Sequence, residues 1–272
     1  MRIAVVGGSF WDIFVFGEEP HSVVIKESPG GSGLNVAYGL FLLGYDVDFY
    51  SNVGNDHRGK HIVKILNDKG FDISCMRIIR SGRTGLFIAF NDKPLAVEPG
   101  VNREKVDVPL TMDDYDLVFA TGEVPEETLE IVCKRGHNVV IDIGPRAKID
   151  TTDLKVLVIG NEEECSRTRC DVVKMGPKGA RWGDLVAAAS GEPFPYSLGL
   201  GDLFDAVLIH GLIRGRSRNE ALEEAVEYTQ LFGQKDPVTP FERISQLEFL
   251  NTSDKASKDH DKPGDVSCHD GQ

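Results

Sequence analysis

The segment Gly199-Leu200-Gly201-Asp202 runs directly into Leu203-Phe204-Asp205-Ala206-Val207-Leu208, an apolar stretch of helical character. Glycines just ahead of a helix leave backbone N–H groups free to face an anion, and the positive end of the helix dipole points the same way. A phosphoryl group in transfer spreads negative charge over its equatorial oxygens and needs such a hole. A carboxylate one step into the helix can take the proton from an attacking hydroxyl. The plain alternative is that Asp202 only caps the helix, and taken alone that is the better reading.

A second segment, Gly30-Gly31-Ser32-Gly33-Leu34-Asn35-Val36-Ala37, has the same build. Bare backbone at the glycines lets a ligand approach closely, and Asn35 can both donate to and accept from a hydroxyl. A flexible turn before a capped helix explains it equally well. Asn161-Glu162-Glu163-Glu164 follows an apolar run and offers amide and carboxylate oxygens of the kind that bind magnesium, partly through water. It also reads as an ordinary acidic helix start. Lys174-Met175-Gly176-Pro177-Lys178-Gly179 is a glycine turn that can pass a nucleotide or can simply join two strands.

Two tempting motifs fail on chemistry. Gly54-Asn55-Asp56-His57-Arg58-Gly59-Lys60-His61 nearly matches the phosphate-binding P-loop. His61 stands where the magnesium-binding Ser or Thr belongs, and Asp56 would repel phosphates inside the cradle. The segment is read as a turn. Gly7-Gly8-Ser9-Phe10 lacks the later glycine of a dinucleotide fingerprint, which disfavours a Rossmann-type oxidoreductase.

The elements that position these residues follow from periodicity. Short apolar runs at 3–6, 47–50, 117–120, 139–143, 156–159 and 172–175 read as strands. Helical spacing appears at 33–44, 58–67, 126–134, 162–166, 202–214 and 219–232. Strand and helix in alternation predict a doubly wound, mostly parallel α/β sheet with helices on both faces. Strand candidates at 23–26, 85–90 and 95–98 break that rhythm and predict a small separate sheet. Residues 1–250 are expected to form one domain, with residues 251–272 a disordered polar tail by composition.

With 30 basic and 43 acidic residues the net charge is −13, which leaves no basic footprint for nucleic acid or anionic lipid. No apolar run approaches the ~20 residues of a membrane helix. Five scattered cysteines suggest reduced thiols in a cytoplasmic protein.

Each motif is modest alone, but in this order they resemble the ribokinase, or PfkB-type, family of carbohydrate kinases. The matching segments are residues 30–37, Gly54-Asn55-Asp56, Pro99-Gly100-Val101-Asn102, Gly122-Glu123-Val124-Pro125, residues 161–164, residues 176–179 and Gly199-Leu200-Gly201-Asp202. The resemblance spans roughly residues 1–233. It implies transfer of the γ-phosphoryl group of a nucleotide, ATP with Mg2+, to a hydroxyl of a sugar, sugar derivative or nucleoside. It also implies a β-sheet lid over the substrate, built from about 13–28 and 84–100, through which such proteins can form homodimers.

By matched position, the resemblance makes Asp202 the base, with Gly199, Leu200 and Gly201 in the anion hole. Asp12, Gly30, Gly31, Asn35, Asn102 and Glu123 would bind substrate. Asn161, Lys174, Gly176 and Gly179 would bind the nucleotide, and Glu164 would serve the metal. At Lys174, where the family commonly has Thr, the ammonium is expected to contact a nucleotide phosphate. Tyr196-Ser197-Leu198 departs from the family's Asp-Thr-Thr, whose Asp and second Thr help bind a monovalent cation, so little activation by potassium is expected. The same departure motivates the alternative of a catalytically impaired kinase-fold ligand-binding protein.

Overall fold

A computed structural model describes residues 1–145, 155–233 and 236–249. The expected polar tail at 251–272 lies outside the described residues. The strands are β1 (Arg2–Val6), β2 (Phe10–Phe16), β3 (Val24–Gly30), β4 (Asp46–Gly54), β5 (Met76–Ile79), β6 (Gly85–Phe90), β7 (Lys93–Glu98), β8 (Leu117–Thr121), β9 (Val139–Asp142), β10 (Val156–Asn161), β11 (Val172–Lys174), β12 (Gly179–Trp182) and β13 (Leu185–Ala188). The helices are α1 (Ser32–Leu42), α2 (His57–Asp68), α3 (Glu126–Arg135), α4 (Leu200–Ile213), α5 (Arg218–Leu231) and α6 (Pro240–Ile244).

Among the described residues, nine strands form the main sheet in the order β13-β12-β11-β10-β9-β8-β1-β4-β5. From β5 to β11 every neighbouring pair is parallel, and β12 and β13 extend the sheet as antiparallel hairpins. Strands β1, β8 and β9 are apolar and buried almost throughout, as strands covered on both faces must be. Successive side chains of β1 feed opposite cores. Ile3 and Val5 join the cluster beneath α1, α4 and α5, while Ala4 and Val6 join the one beneath α3. Each fully buried Leu or Ile in these clusters contributes about 1.5–3 kcal/mol by leaving water. The chain is therefore doubly wound, as expected.

The winding reverses between β1 and β8, since β4 and β5 lie on one side of β1 and β8 to β11 on the other. Ligands in open α/β sheets gather outside the strand ends at such a point. The turns after β1 and β8 begin Gly7-Gly8 and Gly122-Glu123.

The second sheet has four strands in the order β3-β2-β6-β7, with β2 and β6 parallel and the outer pairs antiparallel. Asn91 and Asp92 join β6 to β7 with φ of 43° and 63°, a two-residue turn whose twist matches the strands it joins. Val24, Ile25, Leu95 and Val97 leave apolar surface exposed on this sheet.

Polar caps set the helix starts. Asp56 accepts from the Gly59 amide at the start of α2 and from the Thr84 amide and hydroxyl. The P-loop look-alike is thus a capped turn. Thr239 and Glu242 form a reciprocal capping box around α6, with Pro240 in its first turn. α6 docks on α1, where Phe241 stacks on Tyr38 with ring centroids 4.8 Å apart.

Two details differ from the sequence expectations. Residues 162–166 give only one short 3-10 turn, Glu164–Ser166. Cys165 and Cys170 are joined by a disulfide rather than held as free thiols, because the loop between that turn and β11 brings their Cα atoms to 5.5 Å. Among the described residues no helix is long and apolar enough to cross a membrane.

Candidate active site

A cleft of about 780 Å3 opens between the strand ends of the main sheet and the small sheet. That size suits a small-molecule ligand. Its wall combines the starts of α1 and α4 with the ends of β8 to β11.

Gly199 is the N-cap residue of α4 and adopts φ 85°, a left-handed conformation that side chains disfavour. A Cβ there would also stand 2.6 Å from Pro240 Cβ. No side chain caps this helix start, so the first amides of α4 carry no side-chain partner. Asp202 is therefore not a helix cap, and the plain alternative is removed. Its carboxylate points instead at α1, where Asn35 Nδ2 donates to Asp202 Oδ2 at 2.7 Å. Burial pushes the Asp202 carboxyl above the ordinary range, with the Asn35 hydrogen bond and the Lys174 charge pulling against it.

Two more acids face the same space. Asp12 on β2 is 4% exposed, and Gly30 opposite has no room for a Cβ, which would fall 1.9 Å from Asp12 Oδ2. Burial, then the charges of Glu123 and Asp202, push the Asp12 carboxyl well up. Asp12 Oδ1 and Asn35 Oδ1 are both buried without a hydrogen-bond partner. Orphaned acceptors of this kind cost stability unless a ligand supplies donors. Glu123 accepts from the amides of Gly8, Ser32 and Gly33 and from the Thr121 hydroxyl, so it braces the β1 turn against the start of α1. Burial raises it to about 7, despite the amides of Gly33 and Ser32.

Lys174 ends β11 and faces the cleft, but its ammonium is already taken. It donates to Asp142 Oδ2 at 2.9 Å and to the Asp205 oxygens at 3.2 and 3.0 Å. The expected direct contact with a nucleotide phosphate gives way to a buried cation bridging β9, β11 and α4. Burial opposes the ammonium, yet the two carboxylates hold its pKa above the ordinary lysine value. The ammonium lies 3.5 Å from where a Gly201 Cβ would stand, beside the first turn of α4.

Asn161 and Glu164 line the cleft and hold each other, since the Asn161 amide donates to Glu164 Oε2 and the Glu164 amide to Asn161 Oδ1. Their oxygens fit magnesium bound mainly through water and phosphate. Among the described residues no group of three or more His, Cys, Asp or Glu is arranged to cage a metal. Gly176 and Gly179 line the same end of the cleft, in the turn between β11 and β12.

The fold thus brings Asp12, Gly31, Asn35, Glu123, Asn161, Glu164, Lys174, Gly176, Gly179 and residues 199–202 to one cavity. Asn102 is not among its lining residues. It is buried behind β2 with its amide donating to Ser9 O and accepting from Ser9 N, which corrects its expected place as a substrate contact. Gly30 makes space for Asp12 rather than lining the cavity. Sequence reasoning missed Asp142, Asp205 and Arg243. Asp142 and Asp205 had a signal, since each interrupts an apolar run destined for burial, whereas Arg243 had none.

Comparison with known proteins agrees with this fold. The model of the pfkB family carbohydrate kinases matches residues 8–142. The ribokinase of Bacillus subtilis (strain 168) is 26% identical over 264 residues, covering 82% of this chain and 90% of its own. The guanosine-inosine kinase of Exiguobacterium acetylicum is 25% identical over 277 residues, covering 82% of this chain and 91% of its own. The ribokinase of Cryptococcus neoformans var. grubii serotype A, solved in complex with ADP, shares the fold with a TM-score of 0.71 and 17% identity over 92% of this chain and 99% of its own.

Proposed function

The chain belongs to the pfkB family of carbohydrate kinases, phosphotransferases with an alcohol group as acceptor, and from that premise we propose that it transfers the γ-phosphoryl group of ATP to a hydroxyl of a sugar or nucleoside. The observation that carries the reading is the pair of Asp202 and Asn35 at the uncapped start of α4, beside the orphaned acceptors Asp12 Oδ1 and Asn35 Oδ1.

In this reading the acceptor's hydroxyls donate to Asp12 and Asn35, while Gly31 and the Glu123 brace shape the floor beneath it. The reacting hydroxyl lies against Asp202. Its oxygen attacks the γ-phosphorus, its proton passes to the Asp202 carboxylate, and the bond from phosphorus to the β–γ bridging oxygen breaks to release ADP. The raised pKa of Asp202 suits it to receiving that proton. The amides of Gly201 and Asp202 meet the charge on the transferring group, backed by the Lys174 ammonium, while the Leu200 amide is held by Ser197 O at 3.0 Å. Mg2+, when bound near Asn161 and Glu164, would neutralise phosphate charge. Gly176 and Gly179 leave room for the nucleotide.

Sugars and nucleosides both remain in the acceptor class, since relatives named for each match 82% of this chain at 26% and 25% identity. The apolar surface at Val24, Ile25, Leu95 and Val97 supports a homodimer through the small sheet. The deciding experiment is ADP release with ATP and a panel of pentoses, hexoses and purine and pyrimidine nucleosides, with and without EDTA. Magnesium-dependent turnover with at least one acceptor is expected. A flat panel with intact ATP binding would overturn the reading.

A further inference from the structure

Arg243, from the five-residue helix α6, is the largest side chain wholly removed from solvent. A buried guanidinium is costly unless its donors are met. Among the described residues its hydrogen bonds go to backbone carbonyls and to no carboxylate. Nη2 donates to Tyr196 O at 2.7 Å, Nε to Leu198 O at 3.3 Å and Nη1 to Phe232 O at 2.6 Å. Burial lowers its pKa to about 10, with Asp92 pulling the other way, so it stays charged at neutrality.

Two of those carbonyls belong to the segment that enters Gly199 and the first amides of α4. The same segment is held from its other side. The Asp92 carboxylate, at the tip of the β6–β7 hairpin, accepts from the Ser197 amide and hydroxyl and from the Leu198 amide at 3.0 Å. An anion thus takes the N–H groups and a cation the C=O groups of one short stretch of backbone. The side chains of Tyr196 and Leu198 turn away and pack on Phe14, Phe16 and Ala89 of the small sheet.

Backbone carbonyl oxygens gathered around one buried site are a ligand set that suits a hard monovalent cation. Here that site is filled by protein. We infer that Arg243 is a resident cation that holds residues 196–198, and through them the amides of Leu200, Gly201 and Asp202, in place without a bound alkali metal. Arg243 is then a positioning residue rather than a catalytic one. Tyr196 and Leu198 need offer no side-chain oxygen, because only their carbonyls are used. The inference rests on the kinase reading for its consequence in turnover, but its structural half stands apart from it.

The test compares wild type, Arg243→Ala and Arg243→Lys in sodium, potassium and millimolar guanidinium chloride. One readout is ADP release with whichever acceptor of the panel is active, and the other is amide hydrogen exchange in peptides covering residues 196–204. Wild type is expected to show the same kcat in sodium and potassium within about two-fold. Arg243→Ala is expected to lose about 100-fold in kcat, as when an anion hole loses a donor, with a much smaller change in acceptor KM. Guanidinium or potassium should restore about ten-fold of that loss by refilling the vacated point. Arg243→Lys, which keeps the charge and part of the hydrogen bonding, should fall between.

Exchange in residues 196–204 should quicken in Arg243→Ala and slow again with guanidinium. Activation of wild type by potassium of about ten-fold or more would overturn the inference. So would unchanged exchange in both variants, or faster exchange in a folded Arg243→Ala that no cation slows. If Arg243→Ala does not fold, the wild-type salt comparison and Arg243→Lys decide. If no acceptor is turned over, the exchange measurements still decide on Arg243 while the kinase reading fails alone.

Discussion

Asn35 Nδ2 reaches Asp202 Oδ2 at 2.7 Å, so the starts of α1 and α4, 167 residues apart in the chain, meet through one hydrogen bond. That bond fixes the carboxylate at the edge of the cleft, with the Ser32 hydroxyl also acting on it. Asp202→Asn keeps size and position but cannot accept the proton. It should lower kcat by about 10²–10⁴-fold with little change in acceptor KM, read by ADP release. Substantial turnover in a folded Asp202→Asn would remove it as the base.

Gly199 should tolerate no side chain. Alanine there meets both a left-handed backbone and Pro240 at 2.6 Å. Gly199→Ala should cost about 1–3 kcal/mol of stability in urea melts. The loss of kcat should exceed what the unfolded fraction explains, because the anion hole moves with the backbone.

The orphaned oxygens should act on the acceptor and not on the nucleotide. Asp12→Ala and Asn35→Ala are each expected to raise acceptor KM by about 10–100-fold, the range for losing a buried polar partner, while ATP KM stays within about two-fold. A shift in ATP KM alone would place these residues at the wrong end of the cleft.

Glu123 makes stability depend on pH in a defined direction. Its folded pKa of about 7 lies above the unfolded value of 4.5, so the folded state holds the extra proton between the two. Its contribution to stability is therefore greatest below that window and declines as pH rises through it. Thermal melts at pH 5 and pH 8 should show a smaller loss with rising pH in Glu123→Gln than in wild type. The raised carboxyl of Asp202 acts on rate instead, moving the acid limb of kcat/KM above the usual aspartate range.

Lys174 should behave as a structural cation. Lys174→Thr leaves Asp142 and Asp205 buried together without their counter-charge, at a cost of about 3–5 kcal/mol in denaturant melts. A stable Lys174→Thr with a raised ATP KM would restore the direct phosphate contact instead.

What could be read from the sequence was what local rules govern. The run of residues 3–6 ending at Gly7-Gly8 is a buried strand on any register, and β1 is one. The glycines before Leu200 and Ser32 marked helix starts facing a ligand, and both line the cleft. Strands β12 and β13 escaped notice because they are four residues each and their apolar character is diluted by alanine and glycine. Asn102 was misplaced because its spacing near Gly100 says nothing about which backbone it meets. Ser9, 93 residues away, claims it. Arg243 was illegible for a related reason, since its partners are backbone atoms, 11, 45 and 47 residues away, which no side-chain pattern marks.

The docking of α6 also sets an order on synthesis. Phe241 covers Tyr38, and Lys26 on β3 pairs with Glu242 at 3.0 Å, so this early part of the fold is finished by a residue 216 positions later in the chain. Until α6 is made, Tyr38 has Phe41 and Phe71 beside it but not Phe241, and the carbonyls of Tyr196 and Leu198 lack Arg243. A polypeptide truncated before residue 240 would carry Gly176, Gly179 and Asp202, yet lack the guanidinium that holds residues 196–198 and the ring that covers Tyr38. Completion of the cleft wall then waits on α6, and chains that lack it are ones that chaperones would hold.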